Sequence, residues 1–247
     1  NMNAKKLSFL LLILVAVACT NRSTSSEQNE MRHWNNVLQQ INALLLENKA
    51  QQTLDLAKQT LPEILESAEK NGTTDTLIYY ARKIFNACGN NYINTKQYKD
   101  GIDYMDSIGN HPLIREHCPH ELLSFKAGLN QLYGNNPEAV RLAEDYLQLP
   151  VCTSANDFIR QAEIISGVYM YSGNNLPKAI QILEKAIDVY RKGGNFPNML
   201  RIMSRLGIYY HLSGEYEKAI ATNQEAIATY NDSIAPGNCL LYTSPSP

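Results

Sequence analysis

The chain has 247 residues, 44% of them hydrophobic, with 22 Lys and Arg set against 24 Asp and Glu for a formal charge of −2. That length suits one elongated domain with terminal extensions, and the balanced charge lacks the basic stripe that nucleic-acid binding demands. Neither a Gly-rich phosphate loop nor a dinucleotide fingerprint is present, so no nucleotide cofactor is expected.

The first segment is distinct in kind. Met2-Asn3-Ala4-Lys5-Lys6 is short and positive, and Leu7 to Ala18 is an apolar run broken only by Ser8. A membrane span needs about 20 apolar residues. This run is too short, and residues 1–18 read as a signal peptide. Its end, Ala16-Val17-Ala18-Cys19, resembles the lipobox of bacterial lipoproteins. The resemblance implies cleavage before Cys19, a lipid on its thiol, and a membrane-anchored place in the bacterial cell envelope, facing the periplasm or the exterior. A plain secretory signal is the alternative. Residues 19–29, rich in Ser, Asn and Glu, read as a flexible tether.

Residues 30–72 form an N-terminal helix pair. Trp34, Val37, Leu38, Ile41, Leu44 and Leu45 mark one amphipathic helix; Leu54, Ala57, Leu61, Ile64 and Leu65 mark the next. Pro62 is expected to bend or interrupt the second helix. The pair reads as a degenerate repeat or a cap. Thr73-Thr74-Asp75 then supplies capping oxygens for the following helix.

From residue 73 to 234 one phrase recurs. A small residue opens the second helix of each of four pairs, at Gly101, Ala139, Ala179 and Ala219. Turn residues precede each one: Asn94-Thr95-Lys96-Gln97, Gly134-Asn135-Asn136, Gly173-Asn174-Asn175 and Ser213-Gly214. The first helices pair a small residue with an aromatic three places on: Gly89 with Tyr92, Ser166 with Tyr169, and Gly207 with Tyr210. Ala127 is followed instead by Asn130, so the aromatic is missing there. A small side chain lets the partner helix approach, and a ring fills the groove beside it. Pro137 and Pro177 fit the first turns of their helices. No useful strand alternation appears. An ordinary helical bundle is the competing architecture, but it need not restate the same turn at the same interval.

These units resemble tetratricopeptide repeats. The last one matches through Met203, Leu206, Gly207, Tyr210, Gly214, Tyr216, Ala219 and Ala226; an earlier one through Phe85, Gly89, Tyr92, Tyr98 and Gly101. The family's usual period is about 34 residues, so the units here have lengthened joints. The resemblance implies an all-α, right-handed α-solenoid of stacked antiparallel helix pairs. It also implies a concave groove lined by the first helices, where Lys83, Asn86, Asn90, Ile93, Arg160, Glu163, Met170, Tyr171, Arg201, Ser204, Ile208, His211 and Leu212 would meet a partner. Some relatives clamp a C-terminal carboxylate, but Asn86 stands where that clamp would have a Lys.

Other chemistry is weaker. His111, His117, Cys118 and His120 are potential zinc donors, but Pro112 and Pro119 interrupt them and the spacing fits no standard site. The same residues offer no third group to orient a Cys–His nucleophile. No catalytic residue and no metal ligand is assigned. Cys88 reads as a small core residue. Cys118 and Cys152 lie ahead of adjacent first helices, and export would permit a disulfide between them.

Residues 235–247, ending Thr243-Ser244-Pro245-Ser246-Pro247, continue no helical pattern. They resemble the translated adapter tail of some metagenome-derived reading frames, which implies a natural chain continuing past residue 234. The expectation is an exported, lipid-anchored, non-catalytic scaffold that binds a protein or peptide. The alternative is the extracytoplasmic sensor region of a Bacteroides-like signalling protein with a histidine kinase or helix-turn-helix output.

Overall fold

A single backbone arrangement closes the helix pairs of this protein. The computed structural model describes residues 29–150, 155–193 and 196–233. Eleven helices and no strand lie among these described residues. The chain divides into two compact units, Asn1–Asn91 and Tyr92–Pro247.

The N-terminal unit contains α1 (residues 29–46), α2 (Ala50–Asn71) and most of α3 (Asp75–Asn94). Trp34, Val37 and Ile41 of α1 are buried, as are Leu54, Ala57, Leu61, Ile64 and Leu65 of α2. Their spacing of three and four residues puts them on one face of each helix. Burying each large aliphatic side chain contributes about 1.5–3 kcal/mol. The Trp34 ring lies 5.8 Å from that of Tyr80, tying α1 to α3. At the start of α3 the Leu77 N–H donates to Thr74 Oγ1 at 3.3 Å, so Thr74 supplies the expected cap. Of the two effects expected of Pro62, interruption does not occur: α2 runs unbroken through it. A proline forfeits the bond to the carbonyl four residues back. Here it sits on the exposed side, and the buried Leu61, Ile64 and Leu65 beside it hold both halves of the helix to the core.

The second unit holds α4 (Tyr98–Ile108), α5 (Pro112–His117), α6 (Pro119–Tyr133), α7 (Asn136–Gln148), α8 (Ala155–Tyr171), α9 (Leu176–Gly193), α10 (Phe196–Leu212) and α11 (Tyr216–Ser233). Helices α6 and α7, α8 and α9, and α10 and α11 pack as hairpins. Each hairpin leans on the one before: α6 on α4, α8 on α6 and α7, α10 on α9 and α8. One core runs through the stack, from Ala127 and Leu142 through Ile165, Leu183 and Ile202 to Ala219. No described helix is long and apolar enough to cross a membrane.

The turns explain why the stack repeats. Asn48, Lys96, Gly134, Asn174 and Gly214 all adopt a left-handed backbone, with φ of 57, 59, 95, 44 and 81°. The next residue then reaches back into the helix just ended. The N–H of Lys49, Gln97, Asn135 and Glu215 donates to the carbonyl of Leu44, Tyr92, Asn130 and Tyr210 at 2.9–3.1 Å. Asn175 does the same to Tyr169, six residues back instead of five, which absorbs the extra residue of that turn. These bonds satisfy carbonyls that a helix end leaves open. The carbonyl of each of these residues then accepts from the residue four places on: Thr53, Gly101, Ala139, Ala179 and Ala219, at 2.9–3.1 Å. Four of these are the small residues that marked the repeat. Thr53 is the fifth; its hydroxyl donates to Lys49 O at 3.0 Å and is thereby satisfied in a buried place.

Fixing the turn fixes what lies opposite. A Cβ on Gly101 would fall 3.0 Å from Tyr92 Cβ and 3.1 Å from Leu129 Cδ1. Tyr92 and Tyr104 pack beside it with ring centroids 5.4 Å apart. In α6, where the aromatic is missing, Asn130 is buried and accepts from Asn135 Nδ2 at 3.1 Å, so a polar bond to the turn takes the ring's place. The lengthened joint after α4 is α5, a six-residue helix whose Leu113 N–H donates to His111 Nδ1 at 3.2 Å.

The glycines give a test with opposite signs. A Cβ on Gly128 would sit 2.6 Å from Ile164 Cγ2, whereas nothing lies within 4 Å of one on Gly167. Gly167→Ala is expected to raise stability by about 0.5–1 kcal/mol through lower chain entropy. Gly128→Leu is expected to cost about 1–3 kcal/mol by overpacking. Urea unfolding followed by circular dichroism measures both.

Candidate functional site

The face formed by α8 and α10 gathers charge and exposed apolar surface in one place. Arg160 and Glu163 lie one turn apart on α8, and Arg201 and Arg205 one turn apart on α10. Glu163 was expected to line an open groove. It is instead buried, with 2% of its surface exposed. The reason is charge pairing. Arg201 Nε donates to Glu163 Oε1 at 2.9 Å, and Arg160 Nη1 stands 3.8 Å from Oε2. Arg205 Nη1 donates to the Glu163 backbone carbonyl at 3.1 Å, which also accepts from the buried Ser166 hydroxyl at 3.1 Å. A carboxylate withdrawn from water persists where cations and hydrogen bonds meet it, and guanidinium suits this because its donors are rigidly forked and its charge is weakly hydrated.

The cluster is unevenly balanced, three guanidiniums to one carboxylate. Burial pushes the Arg160 guanidinium below its ordinary pKa; Glu163 opposes that shift, and the charges of Arg201 and Arg205 add to it. The nearby Tyr209 phenol is pushed up, chiefly by burial, with Arg205 working against the rise. Arg160 and Arg201 keep part of their surface in solvent while Glu163 does not, so the surface here presents cation.

Along the same helices Tyr171, Ile208 and Leu212 are each more than half exposed. Ser204 and His211 are exposed as well, and the His211 ring meets Tyr216 edge-on at 5.3 Å. Met170 and Ile93 are half-buried. In the N-terminal unit Lys83, Asn86 and Asn90 are half-buried too; the Lys83 ammonium lies 5.7 Å over the Tyr79 ring, and Asn90 Nδ2 donates to Asn86 O at 2.9 Å. The structure thus joins Arg160, Glu163 and Arg201 directly. Sequence reasoning missed Arg205, Ser166 and Tyr209. Arg205 was the findable one, since it follows Arg201 by four on the same helix face.

The histidine-rich joint is structural in its contacts. His111 caps α5, and His120 Nε2 donates to Pro150 O at 2.6 Å with its ring edge-on to Tyr146. Cys88 and Cys118 are fully buried. Cys19 and Cys152 lie outside the described residues.

Comparison with known proteins agrees with this geometry. The family model for the tetratricopeptide repeat matches residues 162–232, from within α8 to the end of α11. The fold is tetratricopeptide-like. It is similar to the crystal structure of nearly identical tetratricopeptide-like repeats of a Podosopora anserina protein described as a kinesin light chain, at TM-score 0.50 and 12% identity, covering 81% of this chain and 96% of that one. A variant of that protein gives TM-score 0.51 at 12% identity, covering 80% and 94%. At such identity the likeness concerns the fold. No curated protein matches the sequence.

Removing the partly exposed partner of a buried carboxylate exposes what held it. Arg201→Ala takes the donor from Glu163 Oε1 and is expected to cost about 1–3 kcal/mol. Ser204→Ala, on the same helix and exposed, is expected to be neutral. The difference between their urea midpoints is the measurement.

Proposed function

We propose that this protein is a non-catalytic scaffold that binds a protein or peptide partner on the α8–α10 face and is held in the bacterial cell envelope by a lipid on Cys19. One observation carries the binding reading. Tyr171, Ile208 and Leu212 stand more than half exposed beside a group of arginines whose positions are fixed by a buried carboxylate. These apolar side chains serve no core. Aromatic and arginine side chains are favoured anchors at interfaces, and a rigid preformed surface loses little entropy on binding. A stack of helical repeats supplies extended surface of this kind.

The anchoring reading rests on sequence. Lys5-Lys6, the apolar run Leu7 to Ala18, and Ala16-Val17-Ala18-Cys19 stand in the order that a lipoprotein signal requires. Each buried methylene of an acyl chain adds about 0.8 kcal/mol of membrane affinity.

Two measurements test the parts separately. A photo-crosslinking residue at Tyr171 is expected to capture a partner in envelope preparations, and Ile208→Glu with Leu212→Glu is expected to abolish capture while leaving the thermal melt unchanged. Capture that survives the double change would remove this face from consideration. Cys19→Ser is expected to move the protein from the membrane fraction to the soluble fraction; continued sedimentation with membranes would refute the lipid anchor.

A further inference from the structure

The α8–α10 face has a polarity that narrows the kind of partner it takes. Contacts ascend together along the two helices: Glu163 meets Arg201 and Arg205, and farther on Ser166 and Tyr171 act on Tyr209. The helices therefore lie side by side and run in the same direction. On α10, Arg201, Arg205, Ile208 and Leu212 are four, three and four residues apart, which puts them on one stripe. On α8, Arg160, Gly167 and Tyr171 keep the spacing of Arg201, Ile208 and Leu212. The first half of each stripe is cationic, and exposed apolar side chains mark the second half. Gly167 sits at the changeover, where a Cβ would meet nothing within 4 Å.

The cationic half is incompletely neutralised. Arg160 and Arg201 share one carboxylate, that of Glu163. Arg205 donates to the neutral backbone carbonyl of Glu163, and no carboxylate among the described residues pairs with it. Helix α10 contains neither Asp nor Glu. A guanidinium carries five N–H donors, so donors and positive charge remain after Glu163 is met. A neutral segment laid here would strip water from Arg201 and Arg205 and give nothing back. A basic segment would meet like charge. A carboxylate answers both the charge and the donors through charge-assisted hydrogen bonds. The arginines lie in a row along the stripe, so a segment passing over them meets each in turn with its side chains, whereas a chain end brings its carboxylate to one point.

Resting on the reading of this face as a partner site, we infer that its occupant is an acidic peptide segment. Side-chain carboxylates of that segment meet Arg201 and Arg205, and its apolar side chains cover Gly167, Ile208 and Leu212. Residues 201 to 212 span about 16 Å of helix, the reach of about five residues of extended peptide. Acidic and apolar positions therefore fall within one short segment.

A phage-displayed library of random peptides tests this, selected on the full chain in detergent. The peptides are joined to the coat protein through their C-termini, so only side-chain carboxylates are on offer. Enrichment of Asp or Glu together with apolar residues is expected. The leading peptide, made with both ends blocked, is expected to bind more weakly as salt rises. Replacing its acids by Asn or Gln is expected to weaken binding about tenfold, which tests the charge without altering the protein. Arg205→Gln is expected to weaken the acidic peptide and leave the amide analogue unaffected, while Arg205→Lys keeps most of the preference; thermal melts of both variants check the fold. Selected peptides without acidic enrichment overturn the inference, and so does an acidic preference that survives Arg205→Gln. Where such peptides are still lost on Ile208→Glu with Leu212→Glu, the acidic partner falls and the face stands. A selection that yields no binder, or binders indifferent to that double change, removes both.

Discussion

The left-handed residue at the end of each first helix is the constraint on which the rest of the structure depends. It lets the following N–H turn back to an open carbonyl, and that bond sets the angle at which the chain returns. Four residues later the returning helix is closest to the one it left. Only a small or self-satisfied side chain fits there, which is why Gly101, Ala139, Ala179, Ala219 and the inward-bonded Thr53 share the position. Packing follows from the turn. The apolar stripes of α6 to α11 fall into line because each hairpin starts from the same closure.

The α8–α10 face uses a different principle. Exposed arginines are long and mobile, and holding several in one place costs side-chain entropy. Glu163 offsets that cost by acting as a fixed post inside the interface. Its own repeat context makes this work: Ser166 and Arg205 both donate to its backbone carbonyl, so the helix segment that carries the carboxylate is held as well. The neighbouring repeat has Ser204 at the corresponding place and builds no second post. The array is thus regular in its backbone and singular in its charge.

What could be read from the sequence divides along the same line. The turns at Gly134 and Gly214, the small residues after them, and the cap at Thr74 follow from backbone demands that only a few residue types meet. They were visible for that reason. That the turn at Asn48 is the same closure was not, because Thr53 lacks the small-residue signal and declares its fitness only through the bond to Lys49. Asn130 looked like a gap in the pattern, whereas its amide serves the turn directly. Pro62 looked like a break, and the buried residues around it prevented one. The burial of Glu163 was invisible for another reason. Which side chains meet between α8 and α10 depends on how far one helix is staggered against the next, and no local spacing reports that.

The short helix α5 sits between two hairpins and not inside one. Chain added at that place lengthens the period without touching any closing turn, because the hairpins before and after it keep their own bonds. The fold therefore has a seam where length is negotiable and corners where it is not. Asn110, exposed at the mouth of that seam, marks where foreign sequence could be spliced in while both flanking hairpins keep their geometry.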